Sequence, residues 1–304
     1  MTDHPARFAG RQTPIKDDLS DASFDCIARI AHEQAGLVLT HAKKNMVKSR
    51  VVRRLRALNI ASFETYADLV CGPEGAGELR HLINALTTNV SQFFRESHHF
   101  DLLRQTILPP LLQRADKGGK VRIWSAGCSN GQEPYSIAMV LDEMDPNLAT
   151  RDIRILATDI DADVLAFART GTYPLSMIDG VPKALVAKYF SPVAGAPDQR
   201  QVSGQLTRLI AFRELNLHQR WPMQGSFDLI FCRNVLIYFD PAMQERLLSR
   251  FRDILLPDGW LMLGHSERVP APIAADFVSG GITALRKSMA GQSRQPAFGG
   301  QHVA

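Results

Sequence analysis

Long apolar runs are absent from this sequence. None of its hydrophobic stretches approaches the roughly 20 residues that a helix needs to cross a bilayer. The start of the chain is polar and lacks the apolar segment of a signal peptide. From these absences we expect a cytoplasmic protein. The composition, with 45% hydrophobic and 22% charged residues, is that of an ordinary globular protein.

Cysteine is also scarce. The chain has four cysteines, which are widely and irregularly spaced: Cys26, Cys71, Cys128 and Cys232. No pair has the spacing of a zinc site, and a disulfide is not expected in a reducing compartment. His98 and His99 are adjacent, and neighbouring residues point to different faces of a helix. We therefore predict neither a disulfide nor a metal site.

A strong charge of either sign is missing as well. The net charge of +4 is mild and does not indicate a nucleic-acid partner. The charge is unevenly distributed, because no acidic residue occurs between Glu33 and Glu64. The basic residues of that stretch are Lys43, Lys44, Lys48, Arg50, Arg53, Arg54 and Arg56.

Residues 19–88 have the periodicity of helices, and we predict a small all-α domain over this range. Ser20 suits the N-cap of the first helix. A second helix is predicted over 43–58, with two further helices from about 62 to 70 and from 76 to 86. The second helix has an apolar stripe (Val47, Val51, Leu55, Leu58) and a basic side (Arg50, Arg53, Arg56). Another helical stretch, 97–114, is expected to break at Pro109 and Pro110.

From Lys120 onward, strands and helices alternate. The segments VRIWSAG, IRILATDID, FDLIFCRN and GWLMLGHSE are predicted strands, with helices between them. This alternation predicts an α/β domain over 89–287 with a doubly wound, mostly parallel, Rossmann-like sheet. A Pro-rich interruption at about 172–211 predicts a small inserted antiparallel β unit, with a hairpin in the run PDQRQVSGQLTRLIAF. Residues 1–18 and 288–304 are predicted to be disordered tails.

Acidic residues follow the first two predicted strands. The first strand leads into a turn of small residues, SAGCSNG at 125–131, followed by Glu133. The second strand ends at Asp159, where a carboxylate can accept hydrogen bonds from ribose hydroxyls. The turn has neither GxGxxG nor GK[ST], so it does not predict a phosphate site. Two carboxylates favour a positively charged nucleoside, although a plain structural turn and an Asp159 helix cap stay open.

Several motifs occur in one order along the chain: TTNVSQFFRE at 87–96, SNGQEPYSIAM at 129–139, TDID at 158–161, FDLIFCRNVLIYF at 227–239 and LGHSE at 263–267. Together they resemble the chemotaxis receptor (glutamate O-) methyltransferase family. In that family the glycine turn usually reads Ser-Thr-Gly-Glu-Glu-Pro-Tyr, whereas Asn130 and Gln132 stand here for Thr and the first Glu. Ser91 stands where Thr is frequent and keeps the hydroxyl.

The resemblance implies the class I methyltransferase fold and S-adenosyl-L-methionine as cofactor. Arg95 would reach the methionyl carboxylate, and Asn216 and Leu217 would border the adenine. Arg95 and Tyr238 are the catalytic candidates, with Tyr238 orienting the incoming carboxylate. The implied cofactor contacts are Asn89, Ser91, Arg95, Glu133, Asp159, Asn216, Leu217, Asn234 and Val235. Taken alone, Arg95 would be read as a surface arginine, and 235–239 as apolar core.

The implied reaction is transfer of a methyl group to glutamate carboxylates of chemoreceptors. The partner would be the helical cytoplasmic region of these receptors, which Arg50, Arg53 and Arg56 would contact as substrate-binding residues. A solvated helix face is the alternative for this basic side. A methyltransferase for RNA or a small molecule, and a non-catalytic receptor-binding regulator, are the alternative functions. The chain is expected to be monomeric, with no nucleic-acid partner and no membrane insertion.

Overall fold

The computed structural model describes residues 14–288. The predicted disordered tails, 1–18 and 288–304, lie outside these described residues except for 14–18 and 288. Within 14–18, the Lys16 amide donates to the Ala61 carbonyl at 2.8 Å, and the Asp17 carboxylate accepts from the Phe63 amide at 3.0 Å. These contacts join this segment to the helices that follow.

Four α-helices form the first part of the described chain, and their local sequence explains their limits. Their bounds are α1 (Asp21–Ala35), α2 (Lys44–Leu58), α3 (Phe63–Cys71) and α4 (Ala76–Leu86), with short 3-10 helices at His41–Lys43 and Pro73–Gly75. Ser20 caps α1 as predicted, since its hydroxyl accepts from the Ser23 amide. Gly36, with φ of 70°, ends α1 in the left-handed conformation.

The apolar stripe of α2 is confirmed for Val47, Val51 and Leu55, which are fully buried. The prediction for Leu58 was wrong, because this side chain is 39% exposed. Leu58 is the last residue of α2, and Asn59 turns the chain away in the left-handed conformation. The buried stripe therefore ends at Leu55, one turn before the apolar pattern in the sequence ends at Leu58.

The helical stretch after residue 97 differs from its prediction. It consists of α5 (Ser97–Leu102), a π-helical turn (Leu103–Ile107) and α6 (Leu108–Asp116). Pro109 and Pro110 do not break the helix; they lie in the first turn of α6, directly after the π-helical turn. The irregularity lies one turn earlier, in the π-helical turn.

The predicted fold class is confirmed by the second part of the chain. Among the described residues a seven-stranded sheet has the order β6-β2-β1-β7-β8-β10-β9. Its strands are β1 (Val121–Ala126), β2 (Ile153–Asp159), β6 (Ile210–Glu214), β7 (Phe227–Cys232), β8 (Leu255–Leu263), β9 (Phe277–Gly281) and β10 (Ala284–Lys287). The first five of these run parallel, and β9 and β10 form an antiparallel edge. The order reverses between β1 and β7, where such sheets bind ligands.

Helices cover both faces of this sheet. They are α7 (Gln132–Met144), α8 (Ala162–Thr170) and α12 (Pro241–Ile254), together with α5 and α6. Neighbouring strand residues alternate between two cores, with Ile123 packing among α5 to α8 and Trp124 packing against α12. Short 3-10 helices occur at Leu148–Thr150, Leu236–Tyr238 and Ala271–Asp276.

The inserted β unit is a three-stranded antiparallel sheet of order β3-β5-β4. Its elements are β3 (Thr172–Pro174), α9 (Leu175–Ile178), α10 (Lys183–Tyr189), β4 (Phe190–Val193), β5 (Ala196–Val202) and α11 (Gly204–Thr207). The predicted hairpin was wrong at its end, because β6 pairs in parallel with β2 in the main sheet. Leu209 and Phe212 are buried in the core beside α8, so burial draws this segment to the sheet edge.

The fourth predicted strand was also displaced. The β8 strand begins before GWLMLGHSE and ends at Leu263, so His265 and Glu267 lie in the turn that follows. Strands β9 and β10 were not predicted from the sequence. Within the described residues, no helix is long and apolar enough to span a membrane.

The cysteines depart from expectation in one respect. Cys26 of α1 and Cys71 of α3 lie next to each other, with Cα atoms 6.5 Å apart, a contact that the sequence did not indicate. They lie 45 positions apart, and only the packing of α1 against α3 brings them together. Cys128 and Cys232 are buried in the two cores of the sheet domain. Burial raises the pKa of both thiols well above its ordinary value, so both side chains act as small apolar filler.

Candidate functional site

A cavity of about 250 Å³ lies at the carboxyl ends of the parallel strands, beside the helical part of the chain. Its walls come from the ends of β1, β2, β6 and β7 and from the segment that follows α4. All of the implied cofactor contacts line this one cavity, and so does Tyr238: Asn89, Ser91, Arg95, Glu133, Asp159, Asn216, Leu217, Asn234, Val235 and Tyr238. The folded chain thus brings together side chains from widely separated positions.

Asp159 ends β2 and is buried, with 8% of its surface exposed. One carboxylate oxygen accepts from the Ser129 amide at 2.8 Å, and the other accepts from the Asp161 amide at 3.0 Å. Burial raises the Asp159 pKa to about 6, although these two amides act in the opposite direction. The helix cap that the sequence left open for Asp159 is Asp161, whose carboxylate accepts from the first amides of α8.

Glu133 lies at the start of α7 and is held by a buried arginine. Its carboxylate accepts from the Ser125 hydroxyl at 2.7 Å and from Arg233 Nη1 at 3.1 Å. The Glu133 side chain is 12% exposed and that of Arg233 only 2%. Burial raises the Glu133 pKa, and the Arg233 charge offsets part of this effect. Arg233 also contacts the Glu96 carboxylate at 3.3 Å and donates to the Arg95 carbonyl.

The turn after β1 lies close to the turn after β7. Gly127 has φ of 80°, and an added Cβ would come within 2.4 Å of the Val235 side chain. Only glycine tolerates both the positive φ and the short distance to Val235, which explains why a residue without a side chain occupies this position. Asn234 also has a positive φ of 59°, a conformation that Asn tolerates better than most residues.

Glu267 holds the turn that carries Asn234 and Val235. Its buried carboxylate accepts from the backbone amides of Asn234, Val235 and Leu236 at 2.7–3.0 Å and from that of Gly264 at 2.6 Å. Amide bonds to a carboxylate are stronger than bonds between neutral groups. Glu267 therefore fixes one wall of the cavity from behind.

The segment after α4 forms the opposite wall. The Asn89 side chain donates to the Asp161 carboxylate at 2.7 Å, and the Asn89 carbonyl accepts from the Ser129 hydroxyl at 3.0 Å. The Ser91 carbonyl lies 3.5 Å from the Gln132 amide nitrogen. Arg95 is partly exposed and donates to the Val90 carbonyl at 3.1 Å.

Asn216 and Leu217 follow β6 and join the sheet to the helical part. The Asn216 side chain donates to the Gln34 carbonyl of α1 at 2.7 Å and accepts from the His218 amide. The Leu217 carbonyl accepts from Arg250 at 2.7 Å. These contacts fix the backbone at this end of the cavity.

Tyr238 lies at the mouth of the cavity, between the two parts of the chain. Its hydroxyl donates to the Thr88 carbonyl at 3.3 Å, and its own carbonyl accepts from the Val38 amide at 2.8 Å. The ring packs against the core of the helical part as well as that of the sheet. Two exposed apolar side chains, Val90 and Ile237, lie on the same rim.

The basic residues of α2 do not share one environment. Arg53 and Arg56 are exposed and line a shallow groove with Lys48. Arg50 is partly buried, and the expectation that it lies exposed beside them was wrong. Its guanidinium reaches the carbonyls at the end of α4 and the Thr88 hydroxyl, since α2 packs against α4.

His98 and His99 lie closer together than the sequence suggested, with ring centroids 4.3 Å apart. With Glu96 they form a group whose potential ligand atoms lie within 4.8 Å of one another. The Arg233 guanidinium already contacts the Glu96 carboxylate, and its positive charge opposes a second cation there. Burial lowers the His99 pKa to about 4, so this imidazole is neutral.

Arg233 and Glu267 are the supporting residues that the sequence analysis missed. Both lie within segments that carried the family resemblance, which was the signal available for them. Neither has a local sequence pattern that reveals its role, because most of their partners lie far away along the chain. Arg233 is 100 positions from Glu133, and Glu267 is 33 positions from Asn234.

The donors and charges of the cavity fit a cationic adenosyl ligand. Asp159 offers carboxylate oxygens to a pair of hydroxyls, and Glu133 adds negative charge near the turn. A phosphate would meet these two carboxylates, and the turn after β1 has no lysine to offset them. Arg95 provides a positive charge on the other wall for a ligand carboxylate.

Two family models match this chain. Residues 22–87 match the family model described as "CheR methyltransferase, all-alpha domain". Residues 89–282 match the model described as "CheR methyltransferase, SAM binding domain", where SAM denotes S-adenosylmethionine.

Individual relatives are similar over most of their length. A "Probable chemotaxis protein methyltransferase" of Rhizobium etli is 45% identical over 87% of this chain and 99% of its own. A "Chemotaxis protein methyltransferase" of Escherichia coli is 41% identical over 82% of this chain and 85% of its own. One of Borreliella burgdorferi is 40% identical over 84% of this chain and 89% of its own.

Proposed function

Because this chain belongs to the CheR family of S-adenosylmethionine-dependent chemotaxis methyltransferases, we propose that it methylates glutamate side chains of chemoreceptors. The product is a glutamate methyl ester, and the enzyme is a protein-glutamate O-methyltransferase. The acceptor lies on the cytoplasmic helical region of the receptor, so the reaction takes place in the cytoplasm. The enzyme acts as a monomer.

The observation that carries this proposal is the shared cavity. Side chains from four strand ends and from the segment after α4 line it, with Glu133 and Asp159 on the sheet side and Arg95 opposite. We assign Asp159 to the ribose hydroxyls, Glu133 to the cationic part of the ligand, and Arg95 to the methionyl carboxylate. Asn216 and Leu217 border the adenine, and Asn89, Ser91, Asn234 and Val235 complete the cofactor contacts.

The chemistry asks little of the protein. When bound, S-adenosylmethionine supplies a methyl group activated by the sulfonium charge. A glutamate carboxyl group has an ordinary pKa of about 4.3, so it arrives ionised and needs no general base. The chain holds the two reactants in line and excludes water from them. A role in positioning is consistent with a cavity wall held by buried pairs such as Arg233 with Glu133.

Tyr238 orients the acceptor. Its ring lies at the mouth of the cavity, and its hydroxyl is within hydrogen-bonding distance of the Thr88 carbonyl only, at 3.3 Å, among the contacts of the described residues. A long bond of this kind can be exchanged for one to an incoming carboxylate. Tyr238 thus acts on the acceptor carboxylate, and Arg95 holds the donor by its methionyl carboxylate.

The receptor docks on α2 through Arg53 and Arg56. Both guanidinium groups are exposed, and the adjoining Lys48 adds positive charge to the same groove. Methylated glutamates lie among other acidic residues on a receptor helix, which makes that surface complementary. Arg50 is left out of this docking surface.

The product distinguishes this function from the alternatives. Receptor-containing membranes should take up labelled methyl from the cofactor, and mild base should release the label as methanol, since esters hydrolyse and methylated amines do not. Base-stable label on the receptor would refute glutamate methylation. Label in RNA would favour a nucleic-acid substrate, and receptor binding without label would favour a non-catalytic regulator.

A further inference from the structure

We propose that Arg50 is a positioning residue, which ties the docking helix α2 to the acceptor side of the cofactor cavity. It holds the segment after α4 and, through that segment, the hydroxyl of Tyr238. The effect that we expect on methyl transfer rests on the proposed function. The effect that we expect on cofactor affinity depends on the cavity alone.

The contacts of the Arg50 guanidinium converge on one turn of backbone. Nη1 donates to the carbonyls of Ala85, Leu86 and Thr87 at 3.2, 2.6 and 2.7 Å, and Nη2 donates to the Thr88 hydroxyl at 2.7 Å. The last carbonyls of a helix lack helical partners and carry partial negative charge. An arginine fork satisfies several of them at once and fixes where the chain leaves α4.

The residues held in this way are part of the cavity wall. Thr87 and Thr88 line the cavity directly, and Asn89 follows them. The Thr88 carbonyl accepts from the Tyr238 hydroxyl. On its far side the segment is anchored to the sheet, because the Asn89 carbonyl accepts from Ser129. Arg50 therefore supplies the anchor on the α2 side of a segment whose other anchor lies in the cofactor site.

Arg50 is close to both functional regions. Burial lowers the Arg50 pKa, while the nearby Tyr238 acts in the opposite direction and the exposed Arg53 adds to the lowering. Helix α2 thus carries Arg53, an exposed docking charge. It also carries Arg50, three positions earlier, which is partly buried and holds the cavity wall. If a docked partner displaced α2, the hydrogen bonds of Arg50 would transmit that displacement to Thr88 and Tyr238.

Arg54 provides a matched control on the same helix. It is also partly buried and forms a two-bond pair with Glu78, each bond 2.8 Å long. Its partner lies on α4, but none of its hydrogen bonds reaches the segment that lines the cavity. Loss of Arg54 should therefore lower the melting temperature without altering the cavity.

The test compares Arg50→Ala, Arg50→Lys and Arg54→Ala in the full chain. Calorimetry with S-adenosylhomocysteine should give a Kd roughly tenfold higher for Arg50→Ala, because the released segment then holds the cavity wall in its binding position for only a fraction of the time. In methyl transfer, kcat should fall while the KM for receptor changes less than about twofold. Arg50→Lys should recover part of the affinity, since an ammonium group reaches some of the carbonyls. Arg54→Ala should leave the Kd unchanged.

A double-mutant cycle tests the path through Tyr238. If Arg50 acts on that hydroxyl through Thr88, the kcat losses of Arg50→Ala and Tyr238→Phe should be less than additive. Those of Arg54→Ala and Tyr238→Phe should add.

Two results would overturn the proposal. One is a raised receptor KM with an unchanged cofactor Kd for Arg50→Ala, which would make Arg50 a docking residue. The other is a lowered melting temperature of Arg50→Ala with an unchanged cofactor Kd, as expected for Arg54→Ala. Failure of the proposed function is a separate result, because the S-adenosylhomocysteine Kd does not depend on the acceptor.

Discussion

Asp159 combines burial with a proposed binding role, and its protonation should control cofactor affinity. The Asp159 pKa is raised to about 6 in the structure, chiefly by burial. In the proposed function the ionised carboxylate is the form that accepts hydrogen bonds from both ribose hydroxyls, whereas the protonated form loses accepting capacity. Ligand binding therefore favours the ionised form, and affinity should fall as the pH drops through about 6.

The prediction is quantitative for S-adenosylhomocysteine. At about pH 5.5 roughly a quarter of such groups stay ionised, so Kd should be about fourfold higher than at about pH 7.5. Asp159→Ala should weaken binding by about 1.5–3 kcal/mol through lost charge-assisted bonds. Asp159→Asn should bind weakly with little pH dependence. Calorimetry at both pH values measures these effects, and equal affinities for wild type and Asp159→Ala would make Asp159 a purely structural residue.

Single residues differ in how far the sequence reveals them. Glu133 and Asp159 could be predicted because each follows a strand whose end must face the ligand edge of a parallel sheet. Arg233 could not, since its two carboxylate partners meet only after folding. The contact of Cys26 with Cys71 was missed for the same reason. The precise contacts of the predicted cofactor residues stay a prediction until a ligand is bound.

At the scale of elements, the proposed receptor docking surface lies on α2. Arg53→Glu should raise the receptor KM and leave cofactor affinity and melting temperature nearly unchanged, because Arg53 is exposed. Reversal of one charge at a partly desolvated contact costs on the order of 1–3 kcal/mol. Methylation should also slow between low and physiological salt, since exposed charges are screened over about 10 Å at 0.1 M.

The control for this experiment is Arg29→Glu. Arg29 is exposed on α1 and pairs only with Glu33 among the contacts of the described chain, at 3.0 Å. This change should leave the receptor KM within about twofold of wild type, as expected for a surface pair of little energetic weight. If neither Arg53→Glu nor added salt changes the receptor KM or the methylation rate, the basic side of α2 is a solvated helix face with no part in docking.

Elements with strong periodicity were predicted well, and those shaped by neighbours were not. The buried stripe of α2 appears directly in the sequence as apolar residues at helical spacing. The π-helical turn at Leu103–Ile107 and the shift of β6 into the main sheet depend on packing against other elements. The exposed end of α2 shows the limit of periodicity, since Leu58 continues the pattern without a partner to bury it.

At the scale of the whole molecule, the arrangement of the two parts creates the site. The helical part meets the sheet through Asn216 with Gln34, Val38 with Tyr238, and Arg80 with Glu214. The cavity lies along this junction, lined by residues of both parts. The fold class was predictable from the alternation of strands and helices. The junction was not predictable, because it depends on side chains that meet across the fold. The domain limits that we predicted at residues 88 and 287 stay predictions.

The central claim is that this cavity delivers methyl groups to receptor glutamates. Mass spectrometry of receptor cytoplasmic fragments, incubated with S-adenosylmethionine and either wild type or Asp159→Ala, tests it most directly. We predict added methyl groups on glutamate side chains with wild type, lost after mild base and strongly reduced with Asp159→Ala at limiting cofactor. Methylation confined to lysine, arginine or another side chain, or unmodified receptor alongside a methylated RNA, would contradict the account.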